Sequence, residues 1–368
     1  GRRVVVASGD VTAYAAGARG RGVTRVFVLD AATGARLSSI DVSGKPATKN
    51  GERYDSGFVQ SVLCRGGATA RVYLGGSFTR VFGKQRRRSA MITLVRRGSG
   101  LKRSLTSWQV PSSSPVTGLA PSPKQVLVST GGRLLSVSPS TADVRWTVRS
   151  VCGGVKTATY AAGSVYVGGF FNAVKGTDGT VARNHGVAKV DPRTGRVASR
   201  KSFRTAIPRN RGCSSYSGAN PGAIVHDAKR KRVILCEGGI KNGVRAISRR
   251  TGRQAWFRET DGDAQACAIV EGRLFVGFHR SKGNIPLDSR GCGSRNCGTM
   301  GAFLSLADGH QVRWMPASAD FFGRGRNRDG RNNGINGVTV IGGYLWVSGA
   351  FYRVGNTDVG HLARFRTL

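Results

Sequence analysis

Short Val/Ile/Tyr/Phe runs, a repeated hairpin unit and a periodic tryptophan predict an all-β chain, folded as a single β-propeller over residues 1–368. The 54 glycines fall with Asn, Asp, Ser and Pro between the apolar runs, and long stretches of helix formers are absent. The repeat is clearest over residues 165–195, VYVGGFFNAVKGTDGTVARNHGVAKVDPRTG, with weaker copies before and after it. Trp108, Trp146, Trp256 and Trp314 recur at one place in it. A unit of this size cannot bury its apolar face alone, so copies must stack. Four antiparallel strands per copy is the sequence form of a propeller blade. The copies predict seven four-stranded blades, with six or eight as alternatives.

In each copy the second strand ends in a glycine break: Gly9, Gly76, Gly131, Gly169, Gly238, Gly277 and Gly349. A shorter strand precedes it, at 58–63, 116–119, 155–160, 223–226, 264–270 and 337–341. A third strand follows and closes on a turn of the type VLDAATG, KVDPRTG or ISRRTG. There Asp or Ser accepts backbone N–H bonds and Gly takes positive φ. The fourth strand carries the periodic Trp, expected to pack sheet on sheet. Gly-Gly-x-Phe permits a tight exit from the second strand and returns an aromatic between sheets. The ends do not match: the first copy lacks its inner strand and the last stops after a third, so one or two terminal strands are missing. Inserts at 79–88, 172–185, 280–299, 319–336 and 353–360 are expected binding loops.

Charge is the compositional outlier, 58 Lys+Arg against 19 Asp+Glu, a net +39. Such a field draws polyanions. The denser clusters are Arg86, Arg87 and Arg88; Lys229, Arg230, Lys231 and Arg232; and Arg324, Arg326 and Arg328. They are the candidate contacts for an anionic polymer, a surface glycan or, without sequence preference, nucleic acid. Aromatics at 8% sit mostly in strands, leaving few for base stacking. Of the seven cysteines, Cys292 and Cys297 are the best candidates for a local disulfide, and Cys152 and Cys213 for a bridge between successive units. Disulfides favour an exported protein, secreted and held at the cell surface. No apolar run approaches the ~20 residues of a membrane span.

VYLGGSFTRVFGKQRRRSAMITL, VYVGGFFNAVKGTDGTVARNHGVAKVDPRTG and LWVSGAFYRVGNTDVGHLARF resemble the delta-sixty type repeat of secreted bacterial propellers. The other copies share only the turn or the glycine break, and SRRTGRQAW is similar to the quinoprotein-type repeat. The first resemblance implies a non-catalytic extracellular propeller, with no catalytic residues to carry over. The second keeps a quinoprotein-type dehydrogenase as an alternative, although no vicinal Cys-Cys and no obvious His base is present.

A search for chemistry finds five separate histidines, no Gly-x-Ser-x-Gly elbow and no phosphate loop. No enzyme is expected, and no metal cluster. Acids gather once, at Glu259, Asp261 and Asp263, with Gln265 following, where the chain enters an inner strand. Matching loops carry Asp55, Gln60, Asn220, Asn333 and Asn336. This channel mouth is the expected ligand site. No cofactor is required, and Ca²⁺ is the ion its oxygens suit; turn formation by Asn-Gly and Asp-Gly is the plainer account of the same residues. The chain is expected to bind an anionic polymer or to join a surface assembly, with itself or another surface protein.

Overall fold

The computed structural model describes residues 3–7, 24–44, 46–49, 52–55, 57–66, 69–97, 100–183, 185–198, 219–239, 241–260, 262–278, 300–312, 321–323, 334–349, 351–355, 357–359 and 361–367. Among them every regular element is a strand. None holds a helix long and apolar enough to cross a membrane. The chain divides into two compact units, Gly1–Arg149 with Val155–Tyr160 and Pro192–Gly195, and Ser150–Gly154 with Ala161–Asp191 and Arg196–Leu368.

Unit 1 holds three antiparallel meanders. The first runs Arg3–Ala7, Thr24–Asp30, Arg36–Ser43; the second runs Val59–Arg65, Ala70–Gly76, Ser89–Arg97, Gly100–Leu105. The third runs Val116–Ser122, Gln125–Thr130, Arg133–Val137, Val144–Ser150. Unit 2 continues with Ser164–Phe171 paired to Val187–Val190 in the fourth sheet. The fifth is Ala219–Asp227, Arg232–Gly239, Gly243–Ser248, Gln254–Glu259, and the sixth Ala264–Val270, Arg273–Phe278, Gly301–Ser305, Gln311–Val312. The seventh is Ile335–Ile341, Tyr344–Gly349, Leu362–Arg366. All seven predicted second strands are strands, and the four-stranded meander is the blade of a β-propeller.

Within each unit the sheets pack face to face. The first and second enclose Val28, Ile40, Leu74, Phe78 and Ile92; the second and third enclose Tyr73, Trp108, Val116, Val128 and Leu135. The fifth and sixth enclose Ile234, Cys236, Trp256, Leu274 and Leu304. A second strand with a sheet on either side is buried on both faces. This is why residues 72–76 of the second sheet are buried throughout, Val72 and Leu74 against the first sheet and Tyr73 against the third, and why such strands read as unbroken apolar runs.

The periodic tryptophans do more than pack. Trp108 Nε1 donates to the Ser138 carbonyl at 3.0 Å, Trp146 Nε1 to that of Pro192 at 2.8 Å and Trp256 Nε1 to that of Leu306 at 3.2 Å. For Trp108 and Trp256 the acceptor lies in the third-strand turn of the following sheet of the same unit, so the buried indole N–H ties the Trp to the turn motif. Trp314 lies outside the described residues. In the turns, Asp30 Oδ1 accepts the N–H groups of Ala32 and Thr33 at 2.9 and 3.0 Å, and Gly34 has φ 77°. Gly309 has φ 75° in the matching turn, and a Cβ there would also strike the Trp256 ring.

Phe78, Phe171 and Phe351, the aromatics of the three Gly-Gly-x-Phe-like exits, are each fully buried at 0% exposure. The glycines allow close approach: a Cβ on Gly75 would strike Val116 of the neighbouring sheet, and one on Gly76 the Phe58 carbonyl at the start of the paired strand in its own sheet. Three of the inserts expected as binding loops are short hairpins: Arg80–Val81 with Lys84–Gln85, Val174–Lys175 with Val181–Ala182, and Phe351–Val354 with Thr357–Asp358. The first adds to the outer strand of the preceding sheet, Val42↔Val81 and Ser43↔Arg80. The third adds to Phe321–Gly323. These hairpins cover strand edges that would otherwise be open to another chain.

Candidate functional site

The cationic clusters divide by what their guanidinium groups touch. Arg86 donates from Nε and Nη2 to the Thr106 carbonyl at 3.1 and 2.6 Å, and Arg88 from Nη1 to the Ser112 carbonyl at 3.0 Å. Arg232 Nη1 bonds the carbonyls of Leu306 and Ala307 at 3.0 and 2.9 Å, and Arg65 and Arg103 reach the carbonyls of Ser122 and Ser39. Arg230 Nη1 lies 3.5 Å from Asp227 Oδ2. Arg86, Arg88, Arg230 and Arg232 are therefore committed in part to holding loops and sheets. Arg87, Lys229 and Lys231 are exposed. Arg324, Arg326 and Arg328 lie outside the described residues.

The acids are drawn the other way, toward backbone and interior. Backbone N–H groups hold Asp30 (from Thr33, then Ala32), Asp178 (from Thr180) and Asp308 (from His310) below the usual carboxylate value. Glu237 is fully buried, its Oε1 taken by Arg245 Nε and Nη2 at 2.9 and 2.6 Å. Burial pushes the Glu237 carboxyl up to about 7 against the pull of Arg245. The Arg245 guanidinium also reaches Gln254 Oε1 and lies 4.3 Å from the Phe257 ring centre. Sequence reading misses this pair; Glu in an otherwise apolar strand with Arg in the very next strand is the one signal for it.

Of the expected mouth residues, the structure brings Asn220, Asp263 and Gln265 together in unit 2. Gly222 lies against the Gln265 backbone, and the Asp263 carboxylate sits on Gly238. Gln60 is exposed on its strand in unit 1 and Asn336 on its strand in unit 2. The Asp55 backbone is in the strand Glu52–Asp55. Asp261 and Asn333 lie outside the described residues. No group of three His, Cys, Asp or Glu suited to a metal occurs among the described residues.

A disulfide joins Cys236 to Cys267, with Cα atoms 6.5 Å apart. It links the second strand of the fifth sheet to the first strand of the sixth inside their shared core, a pairing not among the expected ones. Cys152 is disulfide-bonded; Cys213, Cys292 and Cys297 lie outside the described residues. Among the histidines, His226 is held below its ordinary value by burial and by Arg249.

A chain in the crystal structure of a mitotic checkpoint complex is similar in fold, with a TM-score of 0.53 and 10% identity over 89% of this chain and 79% of that chain. The Neurospora crassa Pan2 WD40 domain is matched at TM-score 0.47 and 11% identity, over 80% of this chain and 76% of that one. The computationally designed Ika8 protein is matched at TM-score 0.47 and 12% identity, over 94% and 92%. At such identities the likeness concerns the fold alone. No family model and no curated protein matches the chain.

Proposed function

We propose that this chain is a non-catalytic propeller of the cell exterior that holds an anionic polymer or surface glycan, alone or within a surface assembly. The observation that carries the reading is where the acids go. With 19 acids against 58 Lys+Arg, those at Asp30, Asp178, Asp308 and Glu237 serve turn N–H groups and a buried pair, leaving Arg87, Lys229, Lys231 and their like facing solvent. The buried Cys236–Cys267 bridge supports an oxidising compartment. The buried Phe78 and Phe171, each followed by a hairpin, and Phe351, which begins one, support the delta-sixty reading.

Retention on heparin and on a phosphate matrix tests the proposal. Engagement of about six anionic groups predicts a ~10³-fold loss of affinity between about 50 and 200 mM salt. Retention that ignores salt, or no retention at low salt, overturns it. Dye reduction with added quinone and Ca²⁺ would move the chain to the dehydrogenase class.

A further inference from the structure

We propose that Asp263, Asn220 and Asn242 form a Ca²⁺ site built around Gly238 at one end of the fifth sheet. Asn220 pairs directly with Gly238 across the first two strands, so both residues address one face. Asn242 lies one step beyond the Glu237↔Gly243 pair, alongside Gly238 on the other side. Gly238 has no side chain, and the place a Cβ would take is filled by the Asp263 carboxylate. At other breaks the place is taken differently, by Ile335 against Gly277, by the Ser114 hydroxyl against Gly131 and by the Gly334 carbonyl against Gly349. A carboxylate here is a departure from how the other sheets close.

In a chain of net charge +39, Asp263 makes no side-chain hydrogen bond or ion pair among the described residues. Asn220 is 6% exposed and its Oδ1 accepts no bond, and the buried Oδ1 of Asn242 accepts none either. The Asp263 carboxylate and the unbonded oxygens of the two asparagines that flank Gly238 in register have no donor among the described residues, and a cation supplies the missing partner. All donors are oxygen, which suits a hard ion, and their irregular placement suits Ca²⁺ over the strictly octahedral Mg²⁺. A single carboxylate sets the affinity in the weak, extracellular range of ~10⁻⁴–10⁻³ M. The site does not depend on polymer binding, and its test leaves polymer retention aside.

The full chain is titrated with CaCl₂, reading Tm and Ca²⁺ retained on equilibrium dialysis. A saturable rise in both with a midpoint of ~0.1–1 mM is expected, absent in Asp263→Asn and unchanged in Asp178→Asn. Asn220→Asp supplies a second carboxylate and is expected to lower the midpoint about tenfold. The proposal is overturned if the wild type shows no saturable response to about 10 mM, if Mg²⁺ acts equally, or if Asp263→Asn binds as the wild type does. Should Asp263→Asn fail to fold, an Asn220→Asp midpoint equal to that of the wild type overturns it instead.

Discussion

Trp108 joins a fully buried ring to one N–H bond on the Ser138 carbonyl, and two substitutions separate those contributions. Trp108→Phe keeps most of the ring and is expected to cost about 1–2 kcal/mol; Trp108→Ala opens a cavity and costs about 3–5 kcal/mol. Urea unfolding checks both. Glu237 supplies a pH dependence. Its carboxyl ordinarily titrates at 4.5 and in the fold near 7, so the native state holds the extra proton between those values. Stability from this group is therefore present below 4.5 and falls as pH rises toward 7. A Tm series over that window should decline, and the decline should flatten in Glu237→Gln. Asp30, Asp178 and Asp308 act in the opposite sense: their contribution stands above the usual 3.8 and is lost as pH falls below it. At this scale the sequence is only half legible. The period of the tryptophans is visible in it, but the turn carbonyl each one reaches is not. Charge at Arg86, Arg88 and Arg232 is equally visible, yet a guanidinium bonded to a carbonyl and one facing water are spelled the same way.

At the scale of strands and turns, the reading from pattern holds best, because hairpin closure is local. Val155–Tyr160 and Ala264–Val270 can be placed from alternation and a following glycine, and the turn at Asp30 from its own side chain. The Cys236–Cys267 bridge resists that approach, since its partners lie 31 residues apart on strands of different sheets. Replacing both cysteines by Ala is expected to cost about 2–4 kcal/mol, measured as a lowered guanidinium midpoint. The Gly-Gly-x-Phe exits are also packing elements. Phe78→Ala should cost about 3–5 kcal/mol, and should raise proteolysis within 79–88 by loosening the hairpin that Phe78 anchors. Asn242 escapes notice in the sequence because its place beside Gly238 follows from strand register, not from any motif.

For the molecule as a whole, the net charge of +39 is the term that solution conditions can change. Self-repulsion weakens a compact state, and salt screens it. Raising NaCl from about 10 to 500 mM should therefore lift Tm by ~1–2 °C, about 1 kcal/mol in a chain of this size, while polymer binding weakens over the same range. A falling Tm would mean that attractive pairs such as Arg196–Asp178 outweigh the repulsion. The hairpin of one repeat laid on the last strand of the repeat before it, Val81 against Val42, carries a consequence for heredity and for engineering. A gene segment cut at the glycine breaks would part that cover from the strand it shields, so whole copies cannot be deleted or shuffled as free cassettes. Lineages of this chain should gain or lose blades only through splices that carry an insert and its upstream neighbour together, and swaps made at any other joint should yield sticky, aggregating products.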